Sequence, residues 1–232
     1  ANTLSVAGDF TTSGGLLGAS CLELNGSDEY AAQTSATTWN FGDAWTIEMW
    51  FKTSSDETDY LCQMYNGSNN NDNIRFFTQS SNDQVKAEVF SSSGSEFSIE
   101  TSGIDCNDGK WHHVALTSSG TVLQFYYDGK LNAQSTTAVD RNADPSMKFY
   151  VGHSPVDTSN KFTGAIDELR IFSDVRTEAE IRADMFQGGT LANSGNLVAR
   201  YSFDEGTGSA VDNSETTAAR DLITYDGDGA TS

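Results

Sequence analysis

Oxygen-bearing and aromatic side chains carry most of the chemistry available to this chain. The run Asn69-Asn-Asn-Asp-Asn73 lies between two apolar stretches and offers five amide or carboxylate side chains in succession. Calcium takes several hard oxygen ligands from a flexible loop, so Asp72 and Asn73, just before Ile74, are candidate ligands. Tyr65 and Asn66 stand beside that run, with Gln63 and Gln79 nearby. A pyranose ring is recognised by an aromatic face together with planar groups that hydrogen-bond its hydroxyls, and these residues supply both. Trp50 and Tyr126 fall on the less apolar faces of their strands. Each is a candidate for a sugar platform on an outer sheet surface, or else is covered by a loop or by the Leu197–Phe203 strand.

Other chemistries find little support. Glycoside hydrolysis needs two carboxylates roughly 5 to 10 Å apart across a cleft. Glu48 stands alone between Thr46 and Trp50, and Asp167 and Glu168, as strand neighbours, are expected to face opposite ways. The adjacent His112 and His113 are likewise expected on opposite faces, where they cannot chelate one ion. Gly-x-Ser-x-Gly, His-Glu-x-x-His and Cys-x-x-Cys are absent. The three cysteines, at 21, 62 and 106, permit at most one internal disulfide, and Cys62 falls in an apolar strand pattern that suits a buried thiol.

The elements that must position these groups read as strands. In Ala44–Thr53, Trp45, Ile47, Met49 and Phe51 share one face, while Thr46, Glu48, Trp50 and Lys52 share the other. Similar runs occur at Cys21–Asn25, Tyr60–Tyr65, Ile74–Gln79, Val85–Phe90, Phe97–Thr101, Trp111–Thr117, Val122–Tyr127, Lys148–Gly152, Ala165–Phe172 and Leu197–Phe203. Asn-Gly or Asp-Gly pairs at 25–26, 66–67, 108–109 and 128–129 supply turns between them. One helix is expected over about 177–187: Thr177 and Glu180 form a capping box, Ile181 and Met185 dock one face, and Gly188-Gly189 ends the run. The stretch about 197–204 either closes the first sheet against the N-terminal strand or opens a second, truncated module. Only 36 residues remain from Leu197 onward, so one domain over 1–232 is expected. Asp226 and Asp228 sit in the terminal stretch without the rest of an EF-hand loop.

The segment Phe162–Phe172, running into Thr177–Arg182, together with Asp108–Leu116 and Gln124–Lys130, resembles the laminin-G-like, pentraxin-like branch of the concanavalin A-type lectin/glucanase jelly rolls. The likeness covers roughly residues 22–186. It implies an all-β, two-sheet antiparallel jelly-roll sandwich with one short helix in the C-terminal half. Asp72-Asn73 is similar in placement to the calcium-binding Asp-Asn of pentraxins. The second acidic segment of that family corresponds to Gly152–Asp157, which contributes Asp157 but no Glu. Asp167 resembles the late-strand Asp that, in related glucanases, holds a structural calcium beside the first strand; otherwise it pairs with Arg170 or a backbone donor.

Charge narrows the partners. With 33 acidic residues against 13 basic ones the formal charge is −20, a field that repels nucleic acid and anionic lipid. No apolar run approaches the roughly 18 residues needed to cross a bilayer. The resulting expectation is a non-catalytic, calcium-stabilised recognition module for a glycan or a cell-surface protein, carried by a larger secreted, cell-surface or virion-surface protein. An adhesion or assembly domain without a sugar site, and a glycoside hydrolase or lyase, are the alternatives.

Overall fold

The computed structural model describes residues 15–39, 42–67, 71–137, 139–141, 144–188, 191, 195–205, 211 and 220–225, and the backbone of 4–5, 11–12 and 210. Strands are numbered in chain order. The smaller sheet runs, in space, Lys130–Thr136 (β13), Val122–Tyr127 (β12), Trp111–Ser119 (β11), Ala44–Lys52 (β6), Thr163–Phe172 (β15) and Leu197–Tyr201 (β16), with Leu22–Asn25 (β3) also on β15. The larger runs Glu96–Glu100 (β10), Gln84–Phe90 (β9), Ile74–Gln79 (β8), Tyr60–Tyr65 (β7), Asp144–Val151 (β14), Tyr30–Ala32 (β4), Leu222–Tyr225 (β18) and Ala210–Val211 (β17), with Thr37–Trp39 (β5) on β14. Leu4–Ser5 (β1) and Thr11–Thr12 (β2) form a separate pair. All these pairings are antiparallel.

Alternation builds the core. Trp45, Ile47, Met49 and Phe51 from β6 meet Leu61, Met64, Phe76, Phe149 and Val151 from the opposite layer in one cluster. This is the two-sheet antiparallel sandwich expected from the period-two stripes. Cys62 and Cys106 are buried free thiols, and burial pushes the Cys106 thiol up to about 12.

β15 departs from simple alternation at one place. Asp167 pairs with Trp50 and Arg170 with Glu48, so two residues of β15 stand opposite Met49 alone. Glu168 is the extra residue, in the left-handed region at φ 48°. The bulge places Asp167, Glu168 and Arg170 on the outer surface while Ile166, Leu169 and Ile171 stay in the core. Asp167 and Glu168 therefore do not face opposite ways as expected.

Two further expectations change. β16 pairs with β15, and β3 lies beside another part of the same strand, so the closing strand and the N-terminal strand share a neighbour instead of pairing with each other. Chain continuing past β16 contributes β18, which returns to the larger sheet beside β4.

The helix, Glu178–Asp184 (α1), starts at the expected capping box: Glu180 N donates to Thr177 Oγ1 at 3.3 Å, and Thr177 N to Glu180 Oε2 at 2.9 Å. Ile181 packs on Ala115 and Tyr126, laying α1 across the outer face of the smaller sheet. Its C-terminal carbonyls find donors on that sheet. Trp50 Nε1 reaches Met185 O at 2.6 Å, Arg170 Nη1 reaches Asp184 O at 2.8 Å and Nη2 reaches Gln187 O at 2.5 Å. The Asp128-Gly129 turn between β12 and β13, with φ values of 48° and 71°, fits closely beneath the helix. A Cβ at Gly129 would stand 2.8 Å from both Arg182 and Met185.

Candidate functional site: the outer face of the larger sheet

In the larger sheet Cys62, Met64, Ile74, Phe76, Phe149 and Val151 point into the core. Period two then sends Gln63, Tyr65, Arg75 and Tyr150 to the outer surface. Register aligns Gln63, Arg75 and Tyr150 into one row across the strands, Glu88, Arg75, Gln63, Tyr150, Ala32 and Ile223, with Tyr65 two places along β7 opposite Lys148. Alongside lies an aromatic group. Tyr30 pairs with Tyr225 and stacks on it at 4.7 Å, and His153 lies 4.6 Å from Tyr30 and 6.1 Å from Tyr150. Tyr65 is close enough to Tyr150 to raise the cost of ionising it.

Gln63 is the telling residue of this face. It is 1% exposed, and neither its amide nitrogen nor its amide oxygen has a hydrogen-bond partner among the described residues. A buried polar group left unsatisfied costs about 1–3 kcal/mol. Its register neighbours are Arg75 on one side and Tyr150 on the other.

The surroundings are electrically quiet. Burial, followed by the neighbouring phenols of Tyr30, Tyr225 and Tyr65, raises the Tyr150 pKa, so the hydroxyl stays protonated. Burial, with Lys161 nearby, pushes His153 down to about 4, leaving a neutral ring near pH 7. Glu88 is held by Arg75 and by Lys86 at 2.8 Å, which leaves it poorly placed to act as acid or base. The face therefore offers flat aromatic surface and neutral donors and acceptors, the chemistry of polyhydroxylated rings.

Of the four residues expected to bind sugar, Tyr65 lies on this face. Asn66 sits at its edge, where its Nδ2 donates to Asp144 Oδ2 at 3.2 Å and Asn71 O at 3.4 Å. Trp50 and Tyr126 belong to the opposite sheet and do not form the open platform expected of them, because α1 covers both. The Tyr126 hydroxyl is 3.1 Å from Gln124 Oε1. His112 and His113 do face opposite ways: His112 lies between Asp108 and Asp128 at 3.1 Å each, while His113 is buried beside Trp50. Tyr30, Tyr150, Tyr225, Arg75 and His153 were not singled out by sequence. The one available signal was their alternation with core residues, as in Lys148-Phe-Tyr-Val151.

The expected calcium ligands separate into three places. Asp72 and Asn73 lie at the Tyr65 end of β7, whereas Asp157 lies in the loop at the Tyr60 end, about 17 Å along the strand. β14 enters beside Tyr65 and leaves beside Cys62, so its following loop cannot return to Asp72. Asp157 instead closes its own loop, accepting from Asn160 Nδ2 at 2.7 Å and Ser159 N at 3.3 Å. At Asp72 a fixed cation is already present: the buried Arg141 guanidinium donates to the Asp72 carbonyl oxygen from Nε at 3.1 Å and also from Nη2. This guanidinium takes the backbone carbonyl of Asp72, one of the oxygens such a loop would offer a cation. Asn69, Asn70, Asp226 and Asp228 lie outside the described residues.

Asp167 fits a cation better. It is fully buried, its Oδ2 accepts from Leu16 N at 2.7 Å and Leu17 N at 3.3 Å, and its Oδ1 has no partner among the described residues. Burial, with Glu168 and Asp204 adding to it against the two backbone donors, raises its pKa to about 7. Asp204 holds the other side of the same loop, accepting from Ala19 N at 2.6 Å and Ser20 N at 3.0 Å. A Cβ at Gly15 would lie 2.0 Å from the Ser20 carbonyl oxygen and 3.0 Å from Asp167 Oδ2, so backbone and carboxylate oxygens converge there. Asp167 does not pair with Arg170. Glu168 takes that part, accepting from Arg170 Nη2 at 3.0 Å and Arg200 Nη2 at 2.6 Å.

A laminin G-type model of the concanavalin A-like lectin/glucanases superfamily matches residues 25–182. No curated protein matches the chain by sequence. Among solved structures the chain is similar to a native heptameric SAP-like pentraxin from Limulus polyphemus, with 14% identity, 88% of this chain and 91% of that one covered, and a TM-score of 0.58. It is also similar to domain 4 of an extracellular arabinanase from Geobacillus stearothermophilus in complex with arabinotriose, at 19%, 76%, 81% and 0.60. A third is the IT-sialidase CBM40 of Ruminococcus gnavus bound to α2,3 sialyllactose, at 15%, 70%, 94% and 0.54. At these identities the likeness speaks to the fold.

Proposed function

Because this chain belongs to the concanavalin A-like lectin/glucanases superfamily, we propose that it is a glycan-binding module whose contact surface is the tyrosine-lined face of the larger sheet. The observation that carries this reading is Gln63, an amide with two donors and a carbonyl acceptor, buried in register between Arg75 and Tyr150 with no hydrogen-bond partner among the described residues. In this reading a sugar ring lies against Tyr150 and Tyr65, and Gln63, sealed at the surface of the free face, bonds its hydroxyls once the neighbouring Tyr150 or Arg75 side chain turns aside. The module is non-catalytic: the one carboxylate in the row, Glu88, is held in ion pairs with Arg75 and Lys86.

Calcium has a structural part in this proposal. Asp167 and Asp204, with oxygens of the Gly15–Ser20 loop, would hold the ion, whose charge would offset the two carboxylates. When bound, it ties the loop before β3 to β15 and to the segment after β16.

We read residues 1–232 as one module of a larger extracellular protein that meets glycans or glycosylated surfaces. The formal charge of −20 disfavours nucleic acid, and no described helix is long and apolar enough to cross a membrane. A glycan microarray probed with and without EDTA tests the function. Binding to a defined oligosaccharide class under at least one condition is expected; silence under both overturns the reading.

A further inference from the structure

We propose that a hollow on the helix side of the smaller sheet is a second binding site, one that takes a sugar ring carrying a carboxylate or sulfate group. The hollow measures about 510 Å³ and forms where α1, the β12–β13 turn and Leu16 converge on the sheet. That volume falls within the range of small-ligand sites, roughly 300 to 1,000 Å³. Trp50, Trp111 and Phe186 supply its aromatic wall; Asp128, Lys130 and Arg182 supply its charges.

The wall is arranged at a cost. Phe186 is 60% exposed, the highest value among the large apolar side chains described as exposed, yet it is held 5.1 Å from the Trp50 ring. The exposed phenyl ring, backed by the nearly buried Trp50 indole, offers a pyranose a flat apolar partner.

The charges select the ligand. Asp128, the one carboxylate of the lining, is half-exposed but engaged: its Oδ2 lies 3.1 Å from His112 Nδ1 and its Oδ1 accepts from His113 N at 2.9 Å, which leaves Lys130 and Arg182 as the charges open to a ligand. Arg182 meets Glu178 only at 4.0 Å between exposed side chains, a contact of little strength. Two of the 13 basic residues therefore stand at the rim of one aromatic hollow, on a chain with 33 acidic residues. The wider field repels extended polyanions, so an anion gains most when it is single, seated at Lys130 and Arg182, and attached to a ring that stacks on the wall.

Tryptophan emission reads this site directly, since Trp39 and Trp45 are sealed in the core and Trp50 and Trp111 line the hollow. The probes are a glucuronate-containing tetrasaccharide, a 6-sulfated galactose tetrasaccharide and a neutral glucose tetrasaccharide. At least one anionic probe is expected to give a saturable emission change that weakens with added salt, while the neutral probe gives none. The surface variant Lys130→Gln/Arg182→Gln should lower the affinity roughly tenfold or more. The proposal fails if neither anionic probe changes the emission, if the neutral sugar binds equally well, or if the double variant binds as the parent does. Which anionic probe responds assigns carboxylate or sulfate as the preferred group.

Discussion

The indole nitrogen of Trp50 donates to the carbonyl oxygen of Met185 at 2.6 Å, fastening the end of the helix to the centre of the smaller sheet. Replacing it with Phe removes the donor, strands a buried carbonyl and trims the contact with Phe186. Trp50→Phe should cost about 2 kcal/mol, read as a fall in melting temperature of roughly 4 to 8 °C. An unchanged melting temperature would mean the helix is held by Arg170 and Ile181 without this bond.

Gln63 sets stability against binding. Its amide is buried and unsatisfied by the described residues, so an unbranched apolar replacement of similar length relieves a desolvation cost. Gln63→Met should raise stability by about 1 kcal/mol in urea unfolding while weakening glycan binding roughly tenfold. Stability lost together with affinity would point to a structural role for the amide instead.

Acid should weaken the fold through His113. Burial, with Arg170 nearby, lowers its pKa to about 3 against an ordinary value near 6.5, so the folded state resists protonation that the unfolded chain accepts. Its contribution is present above pH 6.5 and is lost as pH falls toward 3. His112 acts in reverse: burial lowers its pKa, but Asp128 and Asp108 outweigh this and leave it raised, so its contribution fades as pH climbs. Scanning fluorimetry across this range should show a shallower acid-side slope in His113→Phe than in the parent. Superimposable slopes would count against a neutral buried imidazole.

Calcium should stabilise the parent and leave Asp167→Asn largely indifferent. At a concentration one hundred times its Kd the ion adds about 2.7 kcal/mol. The parent should therefore melt several degrees higher in calcium than in EDTA, while Asp72→Asn keeps the full response because Arg141 already serves that loop. A response abolished by Asp72→Asn and kept by Asp167→Asn would reverse the assignment.

Much of the architecture was readable one strand at a time. The alternation from Trp45 to Phe51 set the core face of β6, and Thr177 with Glu180 marked the helix start, because both signals are local. What sequence could not supply was cover and register. Trp50 and Tyr126 do lie on the outward face of their strands, but only the docking of Ile181 on Tyr126 and the bond from Trp50 to Met185 show that a helix lies over them. The Tyr30–Tyr225 stack joins residues from opposite ends of the chain through strand order, which no local pattern records. Glu168 escaped for another reason: a left-handed residue inside an apolar strand looks, in sequence, like one more member of the alternation.

That single inserted position means β15 carries two reading frames. Before Glu168 the sheet's inward residues fall on even numbers, and after it they fall on odd ones, as Ile166, Leu169 and Ile171 show. Shortening the strand by one residue there would return it to one parity and force a choice between seating Asp167 and seating Arg170. The spacing of this strand, as much as its composition, is what lets neighbouring acids serve separate tasks.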